Sequence, residues 1–229
     1  MKVLSIIIPV YNEEATVGEV LKRVFSVKLD GWKSQVIVVD DGSTDKTGEI
    51  VGSWQKKATI IVQPQNQGKG AAIMEGMKQA IGEVVLLQDA DLEYSPTDYP
   101  KLLEPFADSR VTVVYGSRFL GPHLSTMYLY ALGNKFVTWV TNVLYNTNIT
   151  DMETGYKVFR RSVMAGMNIH AKRFDFEPEF TAKILKAGYQ IYEVPISYFG
   201  RKFSEGKKLT WRDGVVALGT LVYQRFTHD

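Results

Sequence analysis

Residues 83–96 read EVVLLQDADLEYSP, an unbroken apolar run that ends in three acids two residues apart, Asp89, Asp91 and Glu93, and then in Ser-Pro. The run shows no polar alternation, which is the pattern of a strand buried on both faces, as in a parallel sheet covered by helices. The acids therefore stand where that strand leaves the core. Two readings fit them: a functional site, or a loop whose acids favour the dipole of a helix capped by Ser95 with Pro96 at its first position. An Asp-x-Asp triplet alone does not separate the two, so the decision lies in the rest of the chain.

Outward from this stretch the same rhythm repeats. Strands are expected at 4–10 (LSIIIPV), 35–40 (QVIVVD), 59–63 (TIIVQ), 83–89 and 111–117 (VTVVYGS), with helices near 13–26, 45–57, 69–81 and 96–106. This βαβα alternation predicts an α/β fold, a mostly parallel central sheet with helices on both faces. Three polar insertions follow strands: YNEE after the first, DGSTD after the second and DADLE after the fourth. In open parallel sheets ligands bind at the carboxyl ends of the strands, so one edge gathers all three. Beyond Arg118 the pattern changes. Leu129, Leu132, Phe136, Trp139, Val140 and Val143 recur at helical spacing, with Asn134, Lys135, Thr138, Thr141 and Asn142 on the other face. A helix near 177–187, a strand at 189–199 and a basic loop follow. Thr210-x-x-Asp213 then opens a last helix with Trp211, Val215, Leu218, Val222 and Phe226 on one face.

Composition bounds the function. The 229 residues, 45% hydrophobic, suffice for one large core, and 27 Lys+Arg against 25 Asp+Glu leave a net charge of +2, too balanced to indicate nucleic acid as a partner. Residues 201–229 are locally basic. The absence of cysteine excludes disulfides, thiolate metal sites and cysteine nucleophiles, and fits a reducing compartment. Neither a signal peptide nor a run of roughly 20 apolar residues is expected, which places the chain on the side of the membrane where it was made.

The polar insertions suggest specific chemistry. Asp40, at the end of the second strand, is suited to accept hydrogen bonds from a base or ribose, while Gly42 and Ser43 or Thr44 turn the chain into a capped helix; turn chemistry alone is the competing reading. QGKGAA (67–72) lacks the Gly-Lys-Ser/Thr of a phosphate loop and the last small residue of the dinucleotide fingerprint, which argues against an NTPase or a dehydrogenase. Acids spaced two apart can share Mg²⁺ or Mn²⁺, which completes its shell with water and substrate diphosphate; no His joins them, which argues against zinc. Such a cation would neutralise charge on a leaving diphosphate.

SIIIPVYNEE, VIVVDDGSTDKT, NQGKGAAIMEGMKQA, LLQDADLEYSP and YGSRF, in this order, resemble the family-2 glycosyltransferases of GT-A fold. TDMETGYKVFRR with RKFSEGKKLTWRDG is similar to the branch of dolichyl-phosphate mannose synthases and polyprenyl-phosphate glycosyltransferases. The resemblance covers nearly the whole chain as one domain: a nucleotide-sugar half (1–118), an acceptor-side half (119–208) and an amphipathic C-terminal helix (209–229). It implies that Pro9, Tyr11, Glu13, Asp40, Lys69 and Ala90 line the donor pocket. Asp89 and Asp91 would hold the sugar nucleotide and the metal, with Glu93 near it, and Arg118, Arg201 and Lys207 would contact phosphates. Asp151 is the first candidate to face the acceptor and Glu153 the next. The Glu-Asp pair and Q-x-x-R-W of the polysaccharide synthases are missing, which favours a single transfer to a phosphate.

The expected activity is thus inverting, metal-dependent transfer of a hexose from a nucleotide diphosphate sugar, GDP-mannose in preference to UDP-glucose, to a polyprenyl or dolichyl phosphate. Transfer to a saccharide hydroxyl and a catalytically silent nucleotide-sugar-binding module are the alternatives. Two partners suit the amphipathic helices at 128–144 and 211–226: the domain core, or a lipid interface that would hold the protein peripherally at the cytoplasmic membrane face. Lys208 and Arg212 fit either a solvated basic face or contact with lipid phosphate.

Overall fold

The structure is a computed structural model and describes residues 1–121, 128–173, 175–200 and 211–227, without the side chain of Trp211. Arg201, Lys207, Lys208 and Thr210 lie outside the described residues. Seven strands form one sheet: β1 (Lys2–Val10), β2 (Trp32–Asp40), β3 (Thr59–Val62), β4 (Val84–Leu87), β5 (Val113–Ser117), β6 (Lys157–Arg160) and β7 (Ile191–Pro195). Their order is β3-β2-β1-β4-β6-β5-β7, and all are parallel except β6. The expected mostly parallel sheet is present. β6 was not foreseen. It inserts antiparallel between β4 and β5, so the sheet runs across the boundary at residue 118.

Helices cover both faces, as the absence of alternation in the strands demands. On one side α1 (Val17–Ser26), α2 (Thr47–Gly52) and α4 (Tyr99–Leu103) pack Val20, Leu21, Val51, Leu102 and Leu103 onto Ile6, Ile8 and Val38. On the other, α3 (Lys69–Met77) and α6 (Phe176–Lys186) pack Ala72, Ile73, Phe176 and Phe180 onto Ile7, Ile37, Val39 and Phe159. Pro96 starts a short 3-10 turn ahead of α4, as Ser-Pro suggests, but the Ser95 side chain makes no capping bond.

A third, smaller cluster joins α6 to α5 (Tyr128–Tyr145) and α7 (Trp211–Phe226) through Val137, Ile149, Met152, Ala182, Ala217 and Leu221. Here the domain core is not the partner of the main apolar stripes. On α5 the buried positions are Val137, Thr138 and Thr141, while Leu129, Phe136 and Trp139 are 75%, 51% and 59% exposed. On α7, Ala217, Leu221 and Gln224 are buried and Val215, Val222 and Phe226 are exposed. The inward threonines are satisfied locally. The Thr141 hydroxyl donates to the Val137 carbonyl at 3.0 Å, and Thr138 Oγ1 accepts from the Met152 N–H at 3.2 Å. Among the described residues no helix is long and apolar enough to cross a membrane.

Candidate active site

Strand direction assembles the site. β1, β2, β4 and β5 are parallel, so the loops that leave them share one edge; β6 runs the opposite way, so the segment that enters it reaches the same edge. Tyr11–Glu13, Asp40–Gly42, Asp89–Glu93, Arg118 and Asp151–Tyr156 therefore meet. From these loops Tyr11, Glu13, Asp41, Asp89, Asp91, Glu93, Arg118 and Glu153 border a cavity of about 970 Å³, within the size range of small-molecule sites. Pro9, Tyr11, Glu13, Lys69, Asp89, Ala90 and Asp91 form its wall at the sheet. Its helical lining is mostly apolar, with Leu129, Phe136, Val215 and Leu218, and carries Asn134, Lys135 and Asp213 as well.

The acid loop is held from below. Buried Gln88 donates through Nε2 to the Asp89 carbonyl at 2.8 Å, and its Oε1 accepts from Tyr99 at 2.7 Å and Tyr156 at 2.8 Å. Leu92 takes a left-handed backbone, φ 64°, which costs a non-glycine residue on the order of 1–3 kcal/mol. Its side chain packs against the main core, so burial offsets the strain and turns Asp91 and Glu93 to the same rim. Asp91 Oδ1 accepts from the Glu93 N–H at 3.1 Å, and Glu93 Oε2 from the Tyr198 hydroxyl at 2.7 Å. Gly155 is required here. A Cβ on it would collide with Asp89 Oδ2 and lie 3.0 Å from the Tyr94 ring.

Asp40 departs from expectation. It is buried, its Oδ1 accepts from the Ser43 N–H at 2.9 Å, and it does not border the cavity; Asp41 does. Asp41 in turn accepts from the N–H groups of Gln67 at 2.8 Å and Gly68 at 2.7 Å. Nor do Ser43 and Thr44 cap the next helix. Ser43 Oγ accepts from the Asn12 N–H at 3.0 Å, and Asp45 Oδ1 from the Thr47 N–H at 2.9 Å.

The structure places Glu153, and not the first candidate Asp151, at the cavity. Asp151 is fully buried and does not border the cavity: Arg118 grips it with Nε and Nη2 at 2.7 Å each and with its backbone N–H at 2.9 Å. Burial opposes the charge of Arg118, but Asp151 outweighs it and holds the guanidinium pKa well above its ordinary value. Arg118 borders the cavity with part of its donor capacity already committed. Glu153 reaches the cavity instead, and its Oε1 is buried without a hydrogen-bond partner. Burial, with Glu177 nearby, pushes its carboxyl up to about 7.

Sequence reasoning missed one residue that borders the cavity, Glu177, and one buried behind Glu153, Lys157. Lys157, fully buried at the start of β6, donates through Nζ to the carbonyls of Met152 at 2.9 Å and Thr154 at 2.6 Å, so it ties both flanks of Glu153. Burial lowers its pKa to about 8. Glu177, in the first turn of α6, borders the cavity and shares Lys69 with Asp89: Lys69 Nζ lies 2.7 Å from each carboxylate. Burial opposes the charge on Lys69, but the two acids outweigh it and raise its pKa well above the usual value. Neither FEPEF nor GYKVF carries a local signal that marks its charged residue for the site.

The donor set suits a hard divalent cation. Among the described residues no three acidic or imidazole side chains gather as a complete metal site, so Asp89 and Asp91 would supply part of the shell and substrate oxygens and water the rest.

The description of Glycosyl transferase family 2 matches residues 5–166. Among curated relatives, the low-salt glycan biosynthesis hexosyltransferase Agl6 of Haloferax volcanii is 29% identical over 87% of this chain and 48% of its own length. The dolichyl-phosphate beta-glucosyltransferase ALG5D of Trichomonas vaginalis is 27% identical over 85% of this chain and 65% of its own. This chain thus spans about half to two thirds of those relatives. Glucosyl-3-phosphoglycerate synthase of Mycobacterium tuberculosis, solved with Mn²⁺, UDP and glucosyl-3-phosphoglycerate, superposes over 100% of this chain and 81% of its own, with a TM-score of 0.77 at 18% identity, a likeness of fold.

Proposed function

Since the chain belongs to glycosyl transferase family 2, we propose that it transfers one hexose from a nucleoside diphosphate sugar to a polyprenyl phosphate at a membrane surface, with inversion. The observation that carries this reading is the two-ended cavity, with Asp89, Asp91 and Lys69 at the sheet and Leu129, Phe136, Val215 and Leu218 on the helical side. A charged donor suits the first end and an isoprenoid tail the second. The exposed stripes of α5 and α7 extend the apolar end outward and fit the interfacial region of a bilayer. The name of the relative ALG5D, a dolichyl-phosphate glucosyltransferase, points to the same acceptor class.

Asp89 and Asp91 would hold Mg²⁺ or Mn²⁺, which when bound offsets charge on the departing diphosphate. Pro9, Tyr11, Glu13 and Asp41 enclose the nucleotide. Arg118, locked by Asp151, presents its remaining donor edge to a phosphate. Glu153 faces the acceptor. A phosphate monoester is already ionised near neutral pH, so it needs orientation more than deprotonation, and a protonated Glu153 donates a hydrogen bond where a carboxylate would repel. A saccharide hydroxyl would need Glu153 as a base.

The resemblance favours GDP-mannose, whereas the named relatives include a glucosyltransferase, so the assay takes both donors. The protein is incubated with Mn²⁺, labelled GDP-mannose or UDP-glucose, and either polyprenyl phosphate in vesicles or free saccharides. Label in a butanol-extractable product is expected. Label on free saccharide alone would replace the lipid acceptor by a sugar, and nucleotide binding without transfer or hydrolysis would support the silent binding module.

A further inference from the structure

We propose that Glu177 is a positioning residue for the metal: it takes over Lys69 when a divalent cation claims Asp89. The inference rests on the reading above that Asp89 and Asp91 hold that cation. Lys69 Nζ lies 2.7 Å from Asp89 Oδ1 and 2.7 Å from Glu177 Oε1, so one ammonium serves two carboxylates. A cation cannot share Asp89 with that ammonium at such distances without strong repulsion in a partly desolvated site. Lys69 has to give way.

Its backbone cannot move to let it. Gly68, at φ 102°, and Gly70 lie against the backbone of Ala171 and Lys172 so closely that a Cβ on either would collide with a carbonyl oxygen. The Ala71 N–H donates to the Lys172 carbonyl at 3.2 Å, and Asp41 holds the Gly68 N–H. This explains the glycines of QGKGAA, which serve backbone packing. Displacement must therefore happen by rotation of the Lys69 side chain. Glu177 is the acid already in contact, is buried, and lies on the first turn of the well-packed α6. It keeps the ammonium paired once Asp89 is taken, at the rim where a substrate diphosphate would lie. Without Glu177, Lys69 has Asp89 as its sole carboxylate partner of the two, and metal binding must break that pair uncompensated.

A double-mutant cycle read by Mn²⁺ binding tests this, with free Mn²⁺ followed by electron paramagnetic resonance, alone and with GDP or UDP. Glu177→Gln is expected to weaken Mn²⁺ binding about 5- to 20-fold, Lys69→Met to tighten it, and Lys69→Met with Glu177→Gln to match Lys69→Met within about twofold. Glu177→Asp, which keeps the charge, should recover most of the loss. An equal loss from Glu177→Gln in both backgrounds would reduce Glu177 to a distant field effect and overturn the proposal, as would no loss in either. Should Glu177→Gln alone fail to fold, a Lys69→Met protein with unchanged or weaker Mn²⁺ affinity overturns it. The underlying metal reading fails separately: in that case wild type shows no saturable Mn²⁺ binding with or without nucleotide, or Asp91→Ala retains it.

Discussion

The sheet edge and the α5–α7 layer handle burial in opposite ways. At the edge most buried polar groups are paired: Arg118 with Asp151, Gln88 with two tyrosines, Lys157 with two carbonyls, Glu93 with Tyr198. In the helical layer the fold turns threonines inward and leaves Phe136, Trp139 and Phe226 in the open. Each arrangement costs stability unless something else requires it. A rigid charged edge suits a rigid charged ligand, and an uncovered apolar stripe suits an apolar phase. The contrast fits the proposed reaction, which would join a water-soluble donor to a membrane-bound acceptor.

The hardest blow to the edge is Asp91→Ala. Transfer should fall by at least about 10³-fold, as when one preorganised charge contact to a transition state is lost, while the protein stays folded. Retained turnover in the purified variant would remove the metal role. Gly155→Ala attacks the same edge through packing. Its Cβ needs the space of Asp89 Oδ2 and the Tyr94 ring, so about 1–3 kcal/mol of stability should go with the activity. Chemical denaturation measures it, and an unchanged midpoint would show that the loop relaxes freely.

The helical layer breaks differently. Phe136→Ser with Trp139→Ser should lower partition onto anionic vesicles by roughly 10- to 100-fold, from lost burial of two aromatic side chains, and leave nucleotide binding intact. Vesicle co-sedimentation reads the first and calorimetry the second. Equal partition by wild type and variant would detach these helices from any membrane.

Much of the edge was legible in the chain because strand periodicity and strand-end polarity are local signals. The five strands of the first half fell within a few residues of their expected bounds, and Pro9, Tyr11, Glu13, Lys69, Ala90 and the acids of DADLE reached one cavity. Local signals fail where a contact is made across the fold. No strand is expected at KVFR, yet β6 is central, and the carbonyls of Met152 and Thr154 satisfy its buried Lys157 ammonium. That Asp151 lies buried under Arg118 while Glu153 reaches the cavity is likewise a contact made only in three dimensions. In α5 the amphipathic pattern was correct and its direction was not encoded, since a hydrophobic stripe does not say whether a core or a lipid will cover it.

Glu153 gives the smallest effect and links the two regions. Its carboxyl is ordinarily half-ionised near 4.5 and is held up to about 7 in the fold by burial and by Glu177. Between those values the unfolded chain loses its proton while the folded one keeps it. Stability contributed by the raised group is therefore present below about 4.5 and falls away as pH climbs through 7, by on the order of 3 kcal/mol at most. Gln at this position does not titrate. Glu153→Gln should then raise the melting temperature by about 3–8 °C at pH 7.5 and by much less at pH 5. An equal shift at both pH values would mean that the Glu153 carboxyl is not perturbed. The same variant ranks the acceptors: with polyprenyl phosphate its kcat should fall less than about tenfold, whereas attack by a sugar hydroxyl, which needs the base, should lose about 10²- to 10⁴-fold.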